Sequence, residues 1–246
     1  ELCRTRSERA VPALRVAPPD DGRQPVCGIW VQARQHAWES GSTWVCRGFV
    51  EWLVSDDARA RRLRDLAHIM VVPIMDVDNV AIGAAHAMEA HGLERIAVLD
   101  FDVHQGNGTE DILLGDERVL YCSSFQHPFF PYTPLPENNE QVVSIPLDAT
   151  ARSAEFRAAV TDHWLPALET FQPEMLFISA GFDAHVDDDI SELAFSDADY
   201  QWLTQFVLNI ARSHANGRLV SLLEGGYELQ SLARCAGGHV KLLSGL

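Results

Sequence analysis

The stretch Arg95-Ile96-Ala97-Val98-Leu99-Asp100-Phe101-Asp102-Val103-His104-Gln105-Gly106-Asn107-Gly108 decides how this chain is read. It opens with a short apolar run, the pattern of a strand buried on both faces. Just beyond the run, Asp102 and His104 stand two residues apart on an extended segment, so their side chains point the same way. Gly106 and Gly108 let the backbone turn sharply beside them.

The same design recurs downstream. Met175–Ser179 is a second apolar run, leading into Ala180-Gly181-Phe182-Asp183-Ala184-His185. Leu219–Leu223 is a third, leading into Glu224-Gly225-Gly226-Tyr227, and Val119–Ser123 is a fourth. Helical spacing separates these runs at Thr109–Leu114, Ser153–Thr170 and Ser196–Ala211, the last with a Ser cap and Asp in its first turn. Glu228–Leu243 reads as a final helix, and Asn79–Ala90 as a helix stopped at His91-Gly92. Gln141–Pro146 reads as extended, after a Pro- and aromatic-rich loop over 128–139 that is expected near the site. Short apolar strands alternating with helices predict an α/β fold: a three-layer α/β/α arrangement around a mostly parallel sheet. In such sheets ligands bind beyond the C-terminal strand ends, where the polar residues of all three motifs fall.

The upstream third is less regular. Residues 1–25 are rich in Arg, Pro and Asp and read as loop. Val26–Arg34 and Ala67–Ile74 read as strands, with helices over Ser42–Val54 and Asp56–Leu66 between them.

The 246 residues are enough for one sizeable domain, and the 47% hydrophobic and 22% charged fractions are ordinary for a globular protein. A net charge of −16 argues against nucleic acid as a direct ligand, because phosphates need basic patches. The five cysteines, Cys3, Cys27, Cys46, Cys122 and Cys235, form no CxxC pair. An odd count without a secretory signal points to a reducing, cytoplasmic setting. No apolar run approaches membrane-spanning length, so no membrane partner is expected. The chain starts without Met and is expected to be a fragment.

Each motif is weak alone. Asp and His at strand ends often serve as caps, Asp183 alone would pass for a turn carboxylate, and a Gly pair before Tyr is often only a turn. Together they are strong. Asp102, His104 and Asp183 supply three protein ligands and leave zinc an open position, the catalytic arrangement. Zinc so held polarises a carbonyl and activates water, and a phenol such as that of Tyr227 can hydrogen-bond a developing oxyanion. The set describes metal-assisted hydrolysis of an amide.

The segments VLDFDVHQGNGTEDI, SSFQHPFFPYT, ISAGFDAHVDDDISELAFSDADY and LLEGGYEL resemble, in order, consecutive motifs of the histone deacetylase family, in its bacterial deacetylase and acetylpolyamine amidohydrolase flavour. The resemblance spans about 79–246 and implies the arginase-like deacetylase fold, incomplete on its N-terminal side. It implies that Asp102, His104 and Asp183 hold zinc and that Tyr227 is the transition-state tyrosine. It further implies that Asp100 orients a catalytic histidine and touches a structural potassium ion. Ser123, with the carbonyls of Asp102 and His104, would complete that ion's ligands, and Asn107 would orient a second histidine. The implied reaction removes an acetyl or longer acyl group from a lysine side chain or a polyamine.

The family's tandem His-His, which supplies general base and acid, has no counterpart: none of the ten histidines is adjacent to another. His68 reads as a boundary residue and His86 and His91 as surface or core-packing residues of a helix; His127 could stand at the rim and His185 at the pocket edge, but none has the sequence context of a general base. Upstream, His36-Ala37-Trp38-Glu39 and HIMVVPIMDVDNV resemble the first zinc motif and following strand of the zinc carboxypeptidase family. His36 and Glu39 could reach one metal from a strand-to-helix turn, but the rest of that family's machinery is absent. The chain thus reads as a carboxypeptidase-like segment, 1–78, joined near Asp78–Ala81 to a deacetylase-like domain, 79–246. A fusion inside two domains leaves two incomplete cores, so a chimeric or mis-assembled reading frame is expected. Sequencing reads across the codons for 70–90 test it. Three functions compete: an acyl-lysine or acylpolyamine amidohydrolase, a catalytically silent zinc-binding module, and a carboxypeptidase-like peptidase.

Overall fold

A computed structural model describes residues 3–4, 10–11, 14–16, 27–32, 40–72 and 79–245. His36 and Glu39 lie outside the described residues.

The sheet that carries the deacetylase-like motifs has five strands: β6 (Ile96–Asp100), β7 (Val119–Gln126), β8 (Val142–Leu147), β9 (Met175–Ala180) and β10 (Leu219–Leu223). Their order is β10-β9-β6-β7-β8, and every neighbouring pair is parallel. The chain leaves β6 in one direction through β7 and β8, then returns to β9 on the other side. The strand order therefore reverses between β6 and β9, with Asp100 opposite Ser179 at their C-terminal ends. This switch point is where an α/β sheet opens a crevice.

Both faces are covered, and the period of two decides which residue goes where. Ile96 and Val98 join Val80, Ala84, Met88 and Leu113, which come from α3 (Asn79–His91) and α4 (Asn107–Leu113). Ala97 and Leu99 face the opposite way, into a core with Phe156, Trp164, Leu203, Val207 and Leu232. Those residues come from α5 (Ser153–Ala159), a π turn (Val160–Trp164), α7 (Asp197–His214) and α8 (Leu229–Leu243), with α6 (Leu165–Phe171) following the π turn. The three-layer α/β/α architecture expected from the alternation is the one found. The single long helix expected over 153–170 is present as a continuous helical run from Ser153 to Phe171, with a π turn in its middle. Pro166 cannot donate to the helix ladder, and just before it the Leu165 N–H reaches back to the Val160 carbonyl.

The N-terminal third contains β1 (Cys3–Arg4), β2 (Ala10–Val11), β3 (Leu14–Val16), β4 (Cys27–Gln32) and β5 (Ala67–Val72), with α1 (Ser40–Leu53) and α2 (Ala58–Leu66). β4 pairs parallel with β5, as the apolar runs suggest. Residues 1–25, expected to be loop, instead contribute the β1–β2 pair and β3, which adds antiparallel to β5. Three residues are too few to show a period in the sequence; the pairing comes from the free edge of β5. Cys46, Leu53, Leu63, Ala67, Ile69 and Val71 form a separate buried cluster here, and β4 approaches the edge strand β10. Among the described residues, no helix is long and apolar enough to cross a membrane.

Candidate metal centre

Each strand of the switch point ends in a turn that aims a polar side chain into the crevice. After β6 the Phe101 N–H bonds the Ser179 carbonyl at 3.1 Å, which holds the two strand ends together. After β9 the Phe182 N–H bonds the Gly225 carbonyl at 2.9 Å, tying in the turn beyond β10. Phe101 and Phe182 are buried edge to face against each other. Their burial turns the intervening polar neighbours, Asp102 and Asp183, toward the crevice.

Asp102, His104 and Asp183 converge there, with one ligand atom from each lying within 4.8 Å of the others. His104 Nδ1 is 2.8 Å from Asp102 Oδ1 and 3.3 Å from Asp183 Oδ2. Backbone donors fix both carboxylates. Asp102 Oδ1 accepts from the His104 N–H at 2.9 Å, and Oδ2 from the Gly225 N–H at 2.8 Å. Asp183 Oδ1 accepts from the Val103 N–H at 3.0 Å. Asp183 Oδ2 is fully buried and accepts no hydrogen bond, with His104 Nδ1 3.3 Å away. A buried carboxylate oxygen left in this state is costly unless a cation faces it. Two glycines make the approach: a Cβ on Gly225 would lie 2.0 Å from Asp183 Oδ2, and one on Gly181 2.4 Å from Asp102 Cα.

The electrostatics point the same way. Burial would discharge the His104 imidazole, but its hydrogen bond to Asp102 and the facing Asp183 carboxylate prevail and lift its pKa to about 10. Burial also opposes ionisation of Asp102, yet the His104 ring and the N–H groups of His104 and Gly225 hold its pKa below the usual value. Asp183, buried and facing the Asp102 charge, is pushed up to about 7. Two carboxylates brought together in a dry site favour a positive charge between them. A divalent ion fits this donor set of one imidazole nitrogen and two carboxylate oxygens with an open side.

The other sequence candidates are placed as follows. Asp100 is buried, accepting from the Tyr121 hydroxyl at 2.8 Å and the Asp102 N–H at 3.1 Å. Ser123 is buried with its hydroxyl 3.1 Å from that of Ser144. Asn107 is exposed at the start of α4, apart from the ligand cluster. Tyr227, two residues beyond the Gly225 that binds Asp102, is 37% exposed. The 128–139 loop does come to the site: the Phe129 ring stacks on His104 at 5.2 Å, and Phe130 meets it edge-on at 6.1 Å. His86 and His91 are exposed on α3.

His185 has both ring nitrogens engaged. Nδ1 accepts from the Asp187 N–H at 3.0 Å, so Nε2 carries the proton that meets Asp197 at 2.9 Å. With the Cys235 thiol 3.4 Å from Asp197, this forms a second His/Asp/Cys group. The assigned proton on Nε2 makes it a structural brace rather than a ligand set, and it also removes His185 as a free base. Sequence reasoning missed Tyr121 and Asp188. Tyr121 looks like any strand aromatic, while the run Asp187-Asp188-Asp189 was the only signal for the latter.

The histone deacetylase domain model matches residues 77–243, about two-thirds of the chain. The chain belongs to the histone deacetylase family. The zinc carboxypeptidase model matches residues 1–94, overlapping the first match. Among curated relatives, type-2 histone deacetylase 2 of Dictyostelium discoideum is 38% identical over 183 residues, covering 68% of this chain and 11% of the relative. A histone deacetylase-like amidohydrolase of Pseudomonas aeruginosa is 34% identical over 175 residues, covering 68% of this chain and 46% of that protein. Among solved structures, the HDA15 HD domain aligns with a TM-score of 0.63 at 30% identity, covering 70% of this chain and 50% of that one. The chain thus spans about half or less of the length of these relatives, and the deacetylase fold is shared with them.

Proposed function

We propose that this chain is a zinc-dependent amidohydrolase of the deacetylase type, with Asp102, His104 and Asp183 as metal ligands. The substrate class is an acyl-lysine side chain or an acylpolyamine. The observation that carries the reading is the buried, unsatisfied Asp183 Oδ2 facing His104 and Asp102 at the switch point. An ion bound there would supply Lewis acidity toward the amide carbonyl and lower the pKa of water. The chain's own groups do the rest. Tyr227 would donate a hydrogen bond from its hydroxyl to the oxyanion as it develops. Phe129 and Phe130 flank His104 and give an acyl chain an apolar wall. The N–H groups of Val103, His104 and Gly225 hold the ligand carboxylates in place, so no reorganisation is needed when charge moves. Asp100, Ser123 and the nearby carbonyls are the residues for a structural potassium ion.

The absence of adjacent histidines favours a second reading, a metal-binding module with weak or no turnover. Zinc titration separates the metal claim from the catalytic one. Asp183→Ala should abolish tight zinc binding, since two ligands hold zinc poorly; unchanged affinity would remove Asp183 from the site. An acetyl-lysine peptide assay on zinc-loaded protein then tests turnover.

A further inference from the structure

Tyr227 must be held if its phenol is to meet an oxyanion, yet it sits on a turn that begins with two glycines and is itself partly exposed. The turn is anchored from an unexpected place. Asp188, only 3% exposed, accepts from the Tyr227 N–H at 2.6 Å and from the Glu228 N–H at 3.0 Å, both at Oδ2. Its other oxygen accepts from the Ile190 N–H at 3.2 Å, within its own loop. A buried carboxylate with three backbone donors has a single stable orientation, and charge-assisted bonds of this kind are among the stronger ones.

The loop that carries Asp188 is braced in turn. The Asp188 N–H bonds the His185 carbonyl at 2.9 Å. His185, 2% exposed, is clamped between the Asp187 N–H and Asp197 at the start of α7. Arg234 of α8 spans Asp197 and Asp187 at 3.0 and 2.8 Å. The same short loop begins with the ligand Asp183. One end thus holds a metal ligand and the other holds the backbone of the tyrosine, so a single rigid piece fixes their separation.

We infer that Asp188 is the positioning residue for Tyr227, setting the phenol relative to the metal ligands through the backbone N–H groups of residues 227 and 228. The inference rests on the proposed role of Tyr227 for its catalytic meaning, but its structural content is tested separately. Hydrogen exchange is measured on the zinc-loaded chain. In Asp188→Ala the Tyr227 and Glu228 amides should exchange at least about tenfold faster, the loss expected for charge-assisted bonds worth more than about 1.4 kcal/mol. Zinc affinity should stay within about twofold, because Asp188 touches no ligand. Asp188→Asn, which keeps an acceptor oxygen, should restore most of the protection, and it replaces the alanine variant if that one does not fold. On acetyl-lysine peptide, kcat should fall about tenfold or more with little change in KM. Tyr227→Phe should cost clearly less in the Asp188→Ala background than in wild type, since both changes act on the same function. Unchanged exchange at 227 and 228, or additive losses in the double variant, would overturn the inference. If wild-type protein shows no turnover while exchange responds as stated, the amidohydrolase reading fails and the anchoring of Tyr227 by Asp188 stands.

Discussion

Gly225 shows how little freedom the centre allows. Its N–H binds Asp102 and its missing side chain makes room for Asp183. A methyl group there would lie 2.6 Å from Asp102 Oδ2 as well as 2.0 Å from Asp183 Oδ2. Neither oxygen can retreat, because backbone donors hold the opposite side of each carboxylate. Gly225→Ala should therefore lower zinc affinity by about a hundredfold or more, at the upper end of what disturbing a ligand's surroundings costs. The fold should persist, since Gly225 lies on a turn rather than in the sheet. Isothermal titration with zinc measures the first and a melting curve the second; native affinity in a folded Gly225→Ala protein would contradict the tight packing described here. Legibility follows from the same geometry. Asp102, His104, Asp183 and Tyr227 stood out in the sequence because each sits just past an apolar run. Asp188 and Tyr121 did not, because their meaning lies in partners 39 and 21 positions away, a separation that no local pattern records.

The strands and most helices were legible because burial on two faces leaves uninterrupted apolar runs and caps mark helix starts. Ser196 and Asp199 form the capping box that opens α7. The π turn and β3 were not legible, the first because Pro166 acts through a widened ladder rather than a break, the second because its pairing depends on β5. Packing between elements also hides titration. His239 of α8 is buried between α7 and β10, next to the rings of Phe101 and Phe182. Thr204 gives its proton to the Tyr200 carbonyl at 2.6 Å, so its oxygen accepts from His239 Nδ1 at 2.7 Å. That leaves Nε2 to accept from the Ser221 hydroxyl at 2.9 Å. The ring is thus held neutral, and burial lowers its pKa to about 4. A histidine whose folded pKa lies below its unfolded value of about 6.5 contributes full stability above that value. The contribution is lost as pH falls from about 6.5 through about 4. Between pH 6 and 5 wild-type protein should lose about 1 kcal/mol more than His239→Gln, as read by urea unfolding. Parallel losses in the two proteins would show that His239 is protonated equally in the folded and unfolded states.

Across the whole molecule the two family matches meet at residues 77–94, over α3 and the approach to β6. The proposed metal ligands and Tyr227 all lie on the deacetylase side of that overlap, at the C-terminal side of the five-stranded sheet. The acid–base pair of the family belongs upstream of α3, where this chain instead resembles a carboxypeptidase. A division of labour follows. Chelation requires an open metal position and an apolar wall, which on the proposed reading Asp102, His104, Asp183 and Phe129 would provide. Turnover also requires a base for water and an acid for the leaving amine. Among the described histidines, His185 cannot serve without breaking its bonds to Asp187 and Asp197. Zinc-loaded protein should therefore bind hydroxamate chelators tightly while hydrolysing acetyl-lysine peptide about 10²–10⁴-fold more slowly than a complete family member. Tyr227→Phe should reduce the residual rate by a further ~10²-fold through loss of the oxyanion donor, and leave zinc affinity unchanged. The measurements are competition binding with a fluorescent hydroxamate and a discontinuous deacetylation assay on the same preparation. Full turnover would assign the base to another group, with His127 in the loop after β7 the first to replace. A Tyr227→Phe rate equal to wild type would take the phenol out of the reaction.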